Sequence, residues 1–159
     1  DSAVEFVSKS ESHLIGEDSF LKEKESDKFQ YNIAPNQLMS SIEAIQHITL
    51  PSIDTEQINQ DEIRFEPPFI QFYDKKILLL DNKTPIPNNM EKKVQIDYLI
   101  LTQNAHFNLS KALDWLEIKK VVFDVSNNYK KVIDWKNACK LYEINYHDVR
   151  EKGAFVANF

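Results

Sequence analysis

The strongest structural signal in this chain is the segment VQIDYLILTQNAHFNLSKALDWLEIKKVVFDVSNNY, residues 94–129. Two apolar runs lie within it, at residues 98–101 and 121–123, and both contain β-branched or aromatic side chains. Runs of this length and composition are typical of strands that are buried on both faces. The stretch therefore predicts two neighbouring strands in the core of a sheet.

A short helix is predicted between these two strands. Asn108 offers a capping side chain, and Leu109, Leu113 and Leu116 then recur at helical spacing. A strand, a helix and a second strand in this order predict a crossover between parallel strands, with the usual right-handed turn.

The loop TQNAH, residues 102–106, follows the first of the two strands. Ligands in folds with parallel strands bind where the strands end and the loops begin. We therefore expect any chemistry of this chain to lie in or beside this loop.

Length and composition predict one domain over residues 1–159, because 159 residues that are 42% hydrophobic can bury a core. No apolar run approaches the roughly 20 residues that cross a bilayer, so the chain is predicted to lie outside the membrane. The first residues, DSAVEFVSKS, lack both a signal peptide and an initiator Met, which favours a piece of a longer protein. Cys139 is the single cysteine, so an intrachain disulfide is excluded, and a packing role is predicted.

Charge is distributed unevenly along the chain. The net charge of −6 argues against strong nonspecific affinity for nucleic acid over the whole surface. The acidic excess lies in the first 90 residues, whereas residues 91–159 carry a slight basic excess. Six lysines around the second core strand and the segment that follows it are candidates for contacts with a DNA backbone: Lys119, Lys120, Lys130, Lys131, Lys136 and Lys140.

The first half of the chain contains weaker signals. Alternation at residues 3–7 and 13–16 predicts a β-hairpin, and a charged helix is predicted over residues 20–29. Residues 38–48 fit either a short helix or a strand. Residues 51–66 are predicted to form an irregular connection or an exposed edge.

A second hairpin is predicted from two strands at residues 69–73 and 76–80, joined by a tight turn at Asp74 and Lys75. The strand at 76–80 is nearly all apolar, so it is predicted to be central in its sheet.

An amphipathic helix and two closing strands are predicted for the last third of the chain. The strands are expected at residues 144–147 and 154–159, around a turn at Gly153. The packed face of the helix is predicted to comprise Val132, Trp135, Ala138, Cys139 and Tyr142, and its solvent face Lys131, Asp134, Lys136 and Lys140.

The order of these segments resembles the C-terminal soluble domain of the ComEC-type competence channel, which has a metallo-β-lactamase fold. In that family a run D-x-L-x-x-x-H-H-G-S is followed by a helix, a strand and then N-x-Y-G-H-P. DYLILTQNAH at residues 97–106 and NNYKKV at 127–132 stand in the same order, and GAF at 153–155 is similar to the end of the family's domain. The resemblance implies an α/β (α+β) fold class: a reduced metallo-β-lactamase-like αββα fold, with mixed β-sheets flanked by a few short helices.

The family's metal ligands are substituted in this chain. The two histidines of H-H-G-S correspond to Gln103 and Asn104, and the histidine of G-H-P corresponds to Lys131. The aspartate that ends the family's L-L-x-G-D strand corresponds to Asn82, or to Asp81 after a shift of one residue; an ordinary turn is the alternative reading of this pair. The signature H-x-H-x-D-H is absent.

The resemblance therefore implies no catalytic residue, no metal ligand and no cofactor. The degenerate site positions are Asp81, Asn82, Gln103, Asn104, His106 and Lys131. His106 could be a shifted ligand or base, or an ordinary surface residue.

The function expected from the resemblance is a non-catalytic domain of a DNA-uptake protein, which guides or docks DNA or stabilises the channel. Its expected partners are the membrane-embedded part of the same chain and single- or double-stranded DNA, on the periplasmic or extracytoplasmic side of an inner membrane. One alternative is a metal-dependent hydrolase or nuclease that rebuilt its site from residues such as Asp81, His106 and Asp124. Another is a protein-interaction module without a DNA role.

Overall fold

The computed structural model describes residues 3–9, 11–17, 42–50, 58–59, 62–86 and 92–158. The chain divides into two compact units, Asp1–Glu56 and Gln57–Phe159. The helix predicted over residues 20–29 lies outside the described residues.

The part of the first unit that the structure describes forms a three-stranded sheet in the order β1-β2-β3. Strands β1 (Ala3–Ser8) and β2 (Glu11–Glu17) pair antiparallel, which confirms the predicted hairpin. Strand β3 (Ala44–Leu50) pairs parallel with β2, so the strand interpretation is correct for the part of residues 38–48 that is described.

Within its described residues, the second unit contains a seven-stranded sheet whose order follows the sequence from one edge to the other. The strands are β4 (Ile58–Asn59), β5 (Ile63–Glu66), β6 (Phe69–Phe72), β7 (Lys75–Leu80), β8 (Val94–Leu101), β9 (Leu116–Phe123) and β10 (Asn145–Asp148). The helices are α1 (Leu109–Ala112), α2 (Tyr129–Leu141) and α3 (Val149–Lys152).

The sheet of the second unit is mixed. Strands β4 to β7 pair antiparallel, whereas β7, β8, β9 and β10 are parallel to one another. Mixed sheets with a few short helices confirm the α+β fold class. The carboxyl ends of β7, β8, β9 and β10 share one edge of the sheet, and this edge carries the loop at residues 102–106.

The crossover between β8 and β9 is confirmed, but its helix is shorter than predicted. Asn108 caps α1 by accepting a hydrogen bond from the Lys111 N–H, and the helix ends at the C-cap Leu113. Leu116 is the first residue of β9, paired with Val94, rather than part of the helix. Strand pairing therefore overrides the leucine spacing, because Leu116 is fully buried in the strand as well.

Two strand boundaries also differ from the prediction. Residues 63–66 form β5, which pairs along its whole length with β6, so this part of the chain is not irregular. The turn of the second hairpin lies at Tyr73 and Asp74, one residue earlier than predicted, because Phe72 pairs with Lys75. Tyr73 adopts a left-handed backbone with φ of 52° to close this turn.

The predicted last strand is wrong over residues 154–158, which are not in a strand. The side chain of Asp148 accepts a hydrogen bond from the Arg150 N–H and begins α3, so the residues expected to form a turn are helical instead. Gly153, with φ of 77°, is the C-cap of α3 and ends this helix, so it does not form the predicted turn between two strands. The segment then runs on with the Phe155 ring 5.3 Å from the Tyr98 ring.

The packed side of α2, called here its inner face, comprises Val132, Trp135 and Cys139, all buried as predicted. The Trp135 ring stacks on Phe123, with centroids 5.9 Å apart, and its Nε1 donates to the Phe107 carbonyl at 3.2 Å. Burial raises the pKa of the Cys139 thiol to about 12.

The prediction that Lys131 and Lys136 point into solvent is wrong, and so is the packed position of Tyr142. Both lysines flank the inner face and bind protein partners, because a long side chain can lay its stem on the core and keep its ammonium at a polar group. Tyr142 is the exposed C-cap of α2.

Candidate functional site

The shared carboxyl edge of the parallel strands brings together the end of β7 and the loops after β8 and β9. Thr102, which follows β8, donates from its backbone N–H and its hydroxyl to the Leu80 carbonyl at the end of β7, at 2.9 and 3.3 Å. The backbone N–H of Asp124, after β9, donates to the Leu101 carbonyl at 3.1 Å. Each loop is thus hydrogen-bonded to the end of the neighbouring strand.

Asn127 is the buried centre of this edge. Its Nδ2 donates to the carbonyls of Leu101 and Asp124 at 2.6 and 2.9 Å. Its Oδ1 accepts the Asn104 N–H at 2.9 Å. One side-chain amide therefore satisfies groups from both loops, and a buried amide bound in this way is costly to remove.

Asn104 reciprocates this contact. Its Oδ1 accepts the Asn128 N–H at 2.6 Å, and the neighbouring Gln103 N–H donates to the Ser126 hydroxyl at 2.8 Å. Gln103 and Asn104 have φ of 47° and 60°, a left-handed backbone that costs on the order of 1 kcal/mol for each residue. Bonds from the opposite loop hold both residues in this conformation.

Lys131 closes the arrangement from the first turn of α2. Its Nζ donates to the carbonyls of Asn104 and Ala105, at 2.7 and 3.3 Å, and lies 6.0 Å from the centre of the Trp135 ring. The ammonium group of Lys131 therefore binds the backbone of the loop at residues 102–106.

Asp81 occupies the end of β7. Its Oδ1 accepts hydrogen bonds from the N–H groups of Lys83 and Thr84 and from the Thr84 hydroxyl, at 2.8, 2.6 and 2.6 Å. Its Oδ2 is buried and has no hydrogen-bond partner among the described residues. Asn82 is exposed in the turn that follows, so the turn interpretation of this pair describes its local structure.

His106, in the same loop, is exposed and lines an open groove of about 500 Å³. Phe107 and Trp135 line this groove as well, together with Lys131 and Asp134 of α2. The structure thus brings Gln103, Asn104 and Lys131 together, and His106 lies beside them on the groove that Lys131 also lines.

The arrangement does not fit a divalent metal centre. No group of three or more His, Cys, Asp or Glu side chains within the described residues could hold a metal ion. Asp81, His106 and Asp124 therefore do not converge, and the Asp124 Oδ2 accepts the Ser126 N–H at 2.8 Å. The Lys131 ammonium group, bound to the loop at residues 102–106, would further repel a metal ion there.

The remaining candidate lysines differ in their surroundings. Lys136 is the most enclosed, with its side chain 11% exposed and its Nζ 2.5 Å from Asp148 and 2.7 Å from Glu151. Burial acts to lower the pKa of Lys136, but the hydrogen bonds and charges of the two carboxylates outweigh it, so the pKa is raised.

The two lysines of β9 are more accessible. The Lys119 Nζ pairs with Asp97 at 2.7 Å while its side chain stays largely exposed. Burial acts to raise the pKa of Asp97, but the bonds from Lys119 and from the Lys76 N–H outweigh it, so the pKa lies below its usual value. The Lys120 Nζ lies 5.3 Å from the centre of the Phe155 ring.

Lys130 and Lys140 of α2 are exposed. Neither side chain has a carboxylate within ion-pair distance among the residues that the structure describes.

Three residues of the edge were not singled out from the sequence as site residues: Ser126, Asn127 and Arg150. The Arg150 guanidinium donates from one nitrogen to the carbonyls of Val125 and Asn127, both at 2.8 Å. The asparagine pair at 127 and 128 was a visible signal, since such residues end strands and cap helices, but nothing in the sequence pairs Asn127 with Asn104.

No helix in the described part of the chain has the length and hydropathy needed to cross a bilayer. Neither a curated protein nor a solved structure matches this sequence. The family model described as the ComEC C-terminal domain matches residues 1–159, the whole chain. The chain therefore belongs to the ComEC C-terminal domain family.

Proposed function

We propose that this domain serves a DNA-uptake protein without hydrolysing DNA, and that it guides or docks the DNA beside the membrane channel. Membership of the ComEC family links the chain to competence and DNA uptake, and to a membrane protein. The observation that carries the proposal is the Lys131 ammonium bound to the carbonyls of Asn104 and Ala105 at the strand edge.

Hydrolysis of a phosphodiester by a metal-bound water needs several imidazole or carboxylate ligands around one or two cations. At two of the positions that resemble those ligands, the Asn104 side chain and the Lys131 ammonium group are instead committed to hydrogen bonds within the protein, and the backbone N–H groups of Gln103 and Asn104 are bound to the opposite loop. Releasing them would remove the bonds that stabilise two left-handed residues. This supports a structural use of the edge rather than a catalytic one.

Contact with a DNA backbone is proposed for the lysines that can reach solvent. An exposed ion pair such as Lys119 with Asp97 contributes only about 0–1 kcal/mol, so a phosphate can replace the carboxylate. Lys120, on the same strand, has an aromatic ring rather than a carboxylate as its neighbour. Lys131 and Lys136 hold partners on the inner side of α2, so they are less suited to this role.

The partner in the cell is proposed to be the membrane-embedded part of the same protein, with the domain on the extracytoplasmic side. In this arrangement the domain either places DNA at the channel entrance or stabilises the channel.

The test of non-catalysis is a nuclease assay on the full chain with added Mn²⁺ or Zn²⁺, together with metal analysis of the purified protein. We expect no cleavage of single- or double-stranded DNA and no stoichiometric metal. A matched variant, Lys131→Ala, should also remain inactive, because removing the ammonium does not supply ligands. Cleavage by the parent chain that is lost on chelation would overturn the proposal.

The test of DNA docking is the salt dependence of binding to a labelled oligonucleotide. Lys119 and Lys120 are consecutive in β9, so their side chains lie on opposite faces of the sheet and each is substituted by itself. Lys119→Gln, the more exposed of the two, should weaken binding and reduce the log–log salt slope by about one. Lys83→Gln, which removes the same charge from the segment after β7, should leave the slope within about half a unit. If the parent chain binds no oligonucleotide at low salt, the DNA role is wrong and a protein-interaction role takes its place.

A further inference from the structure

A row of apolar side chains lies on the solvent side of α2. Tyr129, Ile133 and Leu141 are 61%, 38% and 73% exposed. They stand at intervals of four and eight residues, and Asn137 fills the gap, so all four side chains follow one ridge of the helix. Exposed apolar residues scattered singly need no explanation, but an aligned row indicates a contact surface.

Two lysines share this side of the helix. Lys140 lies seven residues after Ile133 and three after Asn137, and Lys130 lies three residues before Ile133, so both flank the row. The outer face of α2 is defined here as Tyr129, Lys130, Ile133, Asn137, Lys140 and Leu141. It contains no acidic residue; Asp134 borders it on the side of the groove.

Two residues next to α2 also expose apolar or aromatic side chains. Val125, in the loop before α2, is 48% exposed, and Tyr142 at the helix C-cap is 42% exposed. Aliphatic and tyrosine side chains combined with lysines, on a helix about 20 Å long, are typical of helices that lie in the interface of a membrane.

We propose that the outer face of α2 docks on the surface of an anionic lipid bilayer. Its lysines are complementary to negative headgroups, and its aliphatic side chains and tyrosine rings suit the boundary between headgroups and acyl chains. Because the family is one of membrane proteins, a lipid surface lies within reach of the domain.

A DNA strand would be the other polyanion to consider for this face. Phosphates contact cations and polar donors, and they leave aliphatic side chains such as Ile133 and Leu141 exposed to water. The outer face offers more apolar side chains than cations, so a lipid surface matches it better. The proposal goes beyond the DNA role and does not depend on it.

The first test measures flotation of the full chain with vesicles at low salt. Vesicles of phosphatidylglycerol and phosphatidylcholine should carry the chain, and vesicles of phosphatidylcholine alone should carry much less. Lys130→Glu combined with Lys140→Glu should weaken binding at least 25-fold, at about fivefold for each lysine near the surface. Lys83→Glu combined with Lys92→Glu makes the same charge change outside α2 and should shift binding less than about twofold.

The second test reports the depth of the helix in the bilayer and requires no loss of charge. A solvent-sensitive dye on Leu141→Cys should shift to the blue on anionic vesicles, whereas the same dye on Ala154→Cys should not. Labelling is specific at neutral pH, since burial raises the pKa of the Cys139 thiol to about 12. An unshifted spectrum at position 141 with the chain bound would overturn the proposal.

The third test measures binding of the same variants to an oligonucleotide, and it distinguishes a lipid-binding face from a DNA-binding face. If the charge reversal at 130 and 140 abolishes DNA binding and leaves flotation unchanged, the face is a DNA surface and the lipid proposal is wrong. If flotation falls and DNA binding persists, the lipid proposal stands and the DNA contacts lie on other lysines. The lipid proposal is also wrong if Lys83→Glu combined with Lys92→Glu reduces flotation as much as the charge reversal at 130 and 140 does.

Discussion

The inner and outer faces of α2 use the same residue types for opposite purposes. On the inner face, the Trp135 ring stacks on the sheet, and the flanking Lys131 and Lys136 bind carbonyls and carboxylates. On the outer face, Tyr129 and Leu141 are more than half exposed, and the two lysines have no carboxylate partner among the described residues. One helix thus stabilises the fold and presents a surface.

Lysine clusters therefore cannot be interpreted from sequence position alone. Lys136 and Lys140 are one helical turn apart, yet Lys136 lies in an ion-pair network and Lys140 lies in solvent. Stability should therefore respond to the inner residues and ligand binding to the outer ones.

The largest effect is expected from Trp135→Ala. Removing this ring leaves a cavity against Phe123 and an unpaired Phe107 carbonyl, so the free energy of unfolding should fall by about 3–5 kcal/mol. Urea unfolding followed by circular dichroism measures the change. Leu141→Ala on the outer face is the control, and an equal loss there would contradict the distinction between the two faces.

The next effect is expected from Lys136→Met, which keeps the apolar stem and removes the charge. Asp148 would remain buried without its cation, so stability at neutral pH should fall by about 1.5–3 kcal/mol, the range for hydrogen bonds to charged groups. Lys140→Met, one turn away, is the matched control.

The same pair of variants makes a prediction about pH. The folded state raises the pKa of Lys136 above the ordinary value of 10.5, so its contribution is complete below that value and is lost as the pH rises through the folded-state pKa. Urea midpoints of the parent chain should therefore decline above pH 10.5 more steeply than those of Lys136→Met. Parallel curves would show that the ion pair contributes nothing.

A smaller effect is expected from Lys131→Met. The variant loses charged hydrogen bonds to two carbonyls of the loop at residues 102–106, and the loss should be about 1.5–2 kcal/mol. Hydrogen exchange of the Gln103 and Asn104 amides should also accelerate, because the loop opens locally. Lys130→Met is the neighbouring control, and faster exchange in both variants would argue against a specific role of Lys131.

The smallest effect on stability is expected on the outer face itself. Lys140→Met should change the free energy of unfolding by less than about 0.5 kcal/mol, as exposed substitutions usually do. A loss above about 1 kcal/mol would show that Lys140 has a structural partner and would weaken the assignment of the outer face as a free surface.

The strands and their order of pairing were predictable wherever apolar runs decided them. The runs at 98–101 and 121–123 lie in β8 and β9 because strands buried on both faces need uninterrupted apolar residues. The predicted length of the helix after Asn108 was too great, since Leu116 suits a helix face and a buried strand equally well. The prediction of the chain's last segment was wrong because the Asp148 side chain caps α3 at residues 149–152, and apolar periodicity does not reveal such a local hydrogen bond.

The candidate site was predictable in place but not in structure. The loop at residues 102–106 does lie at the parallel strand edge, and Gln103, Asn104 and Lys131 do meet there. Their bonding depends on Asn127, whose contact with Asn104 joins residues 23 positions apart in the chain, and one sequence does not specify such a pairing. The inward direction of Lys136 depended in the same way on Asp148 and Glu151.

The sequential order of the seven strands has a consequence for how the second unit assembles. Each strand lies beside the one that precedes it in the chain, so a chain leaving the ribosome can add every new strand to an edge that already exists. No strand has to insert between two earlier ones, which avoids the long-range rearrangements that slow β-sheet folding. In the finished sheet the two edge strands are β4, of two residues, and β10, of four, and such short edge strands offer little backbone for pairing with another chain.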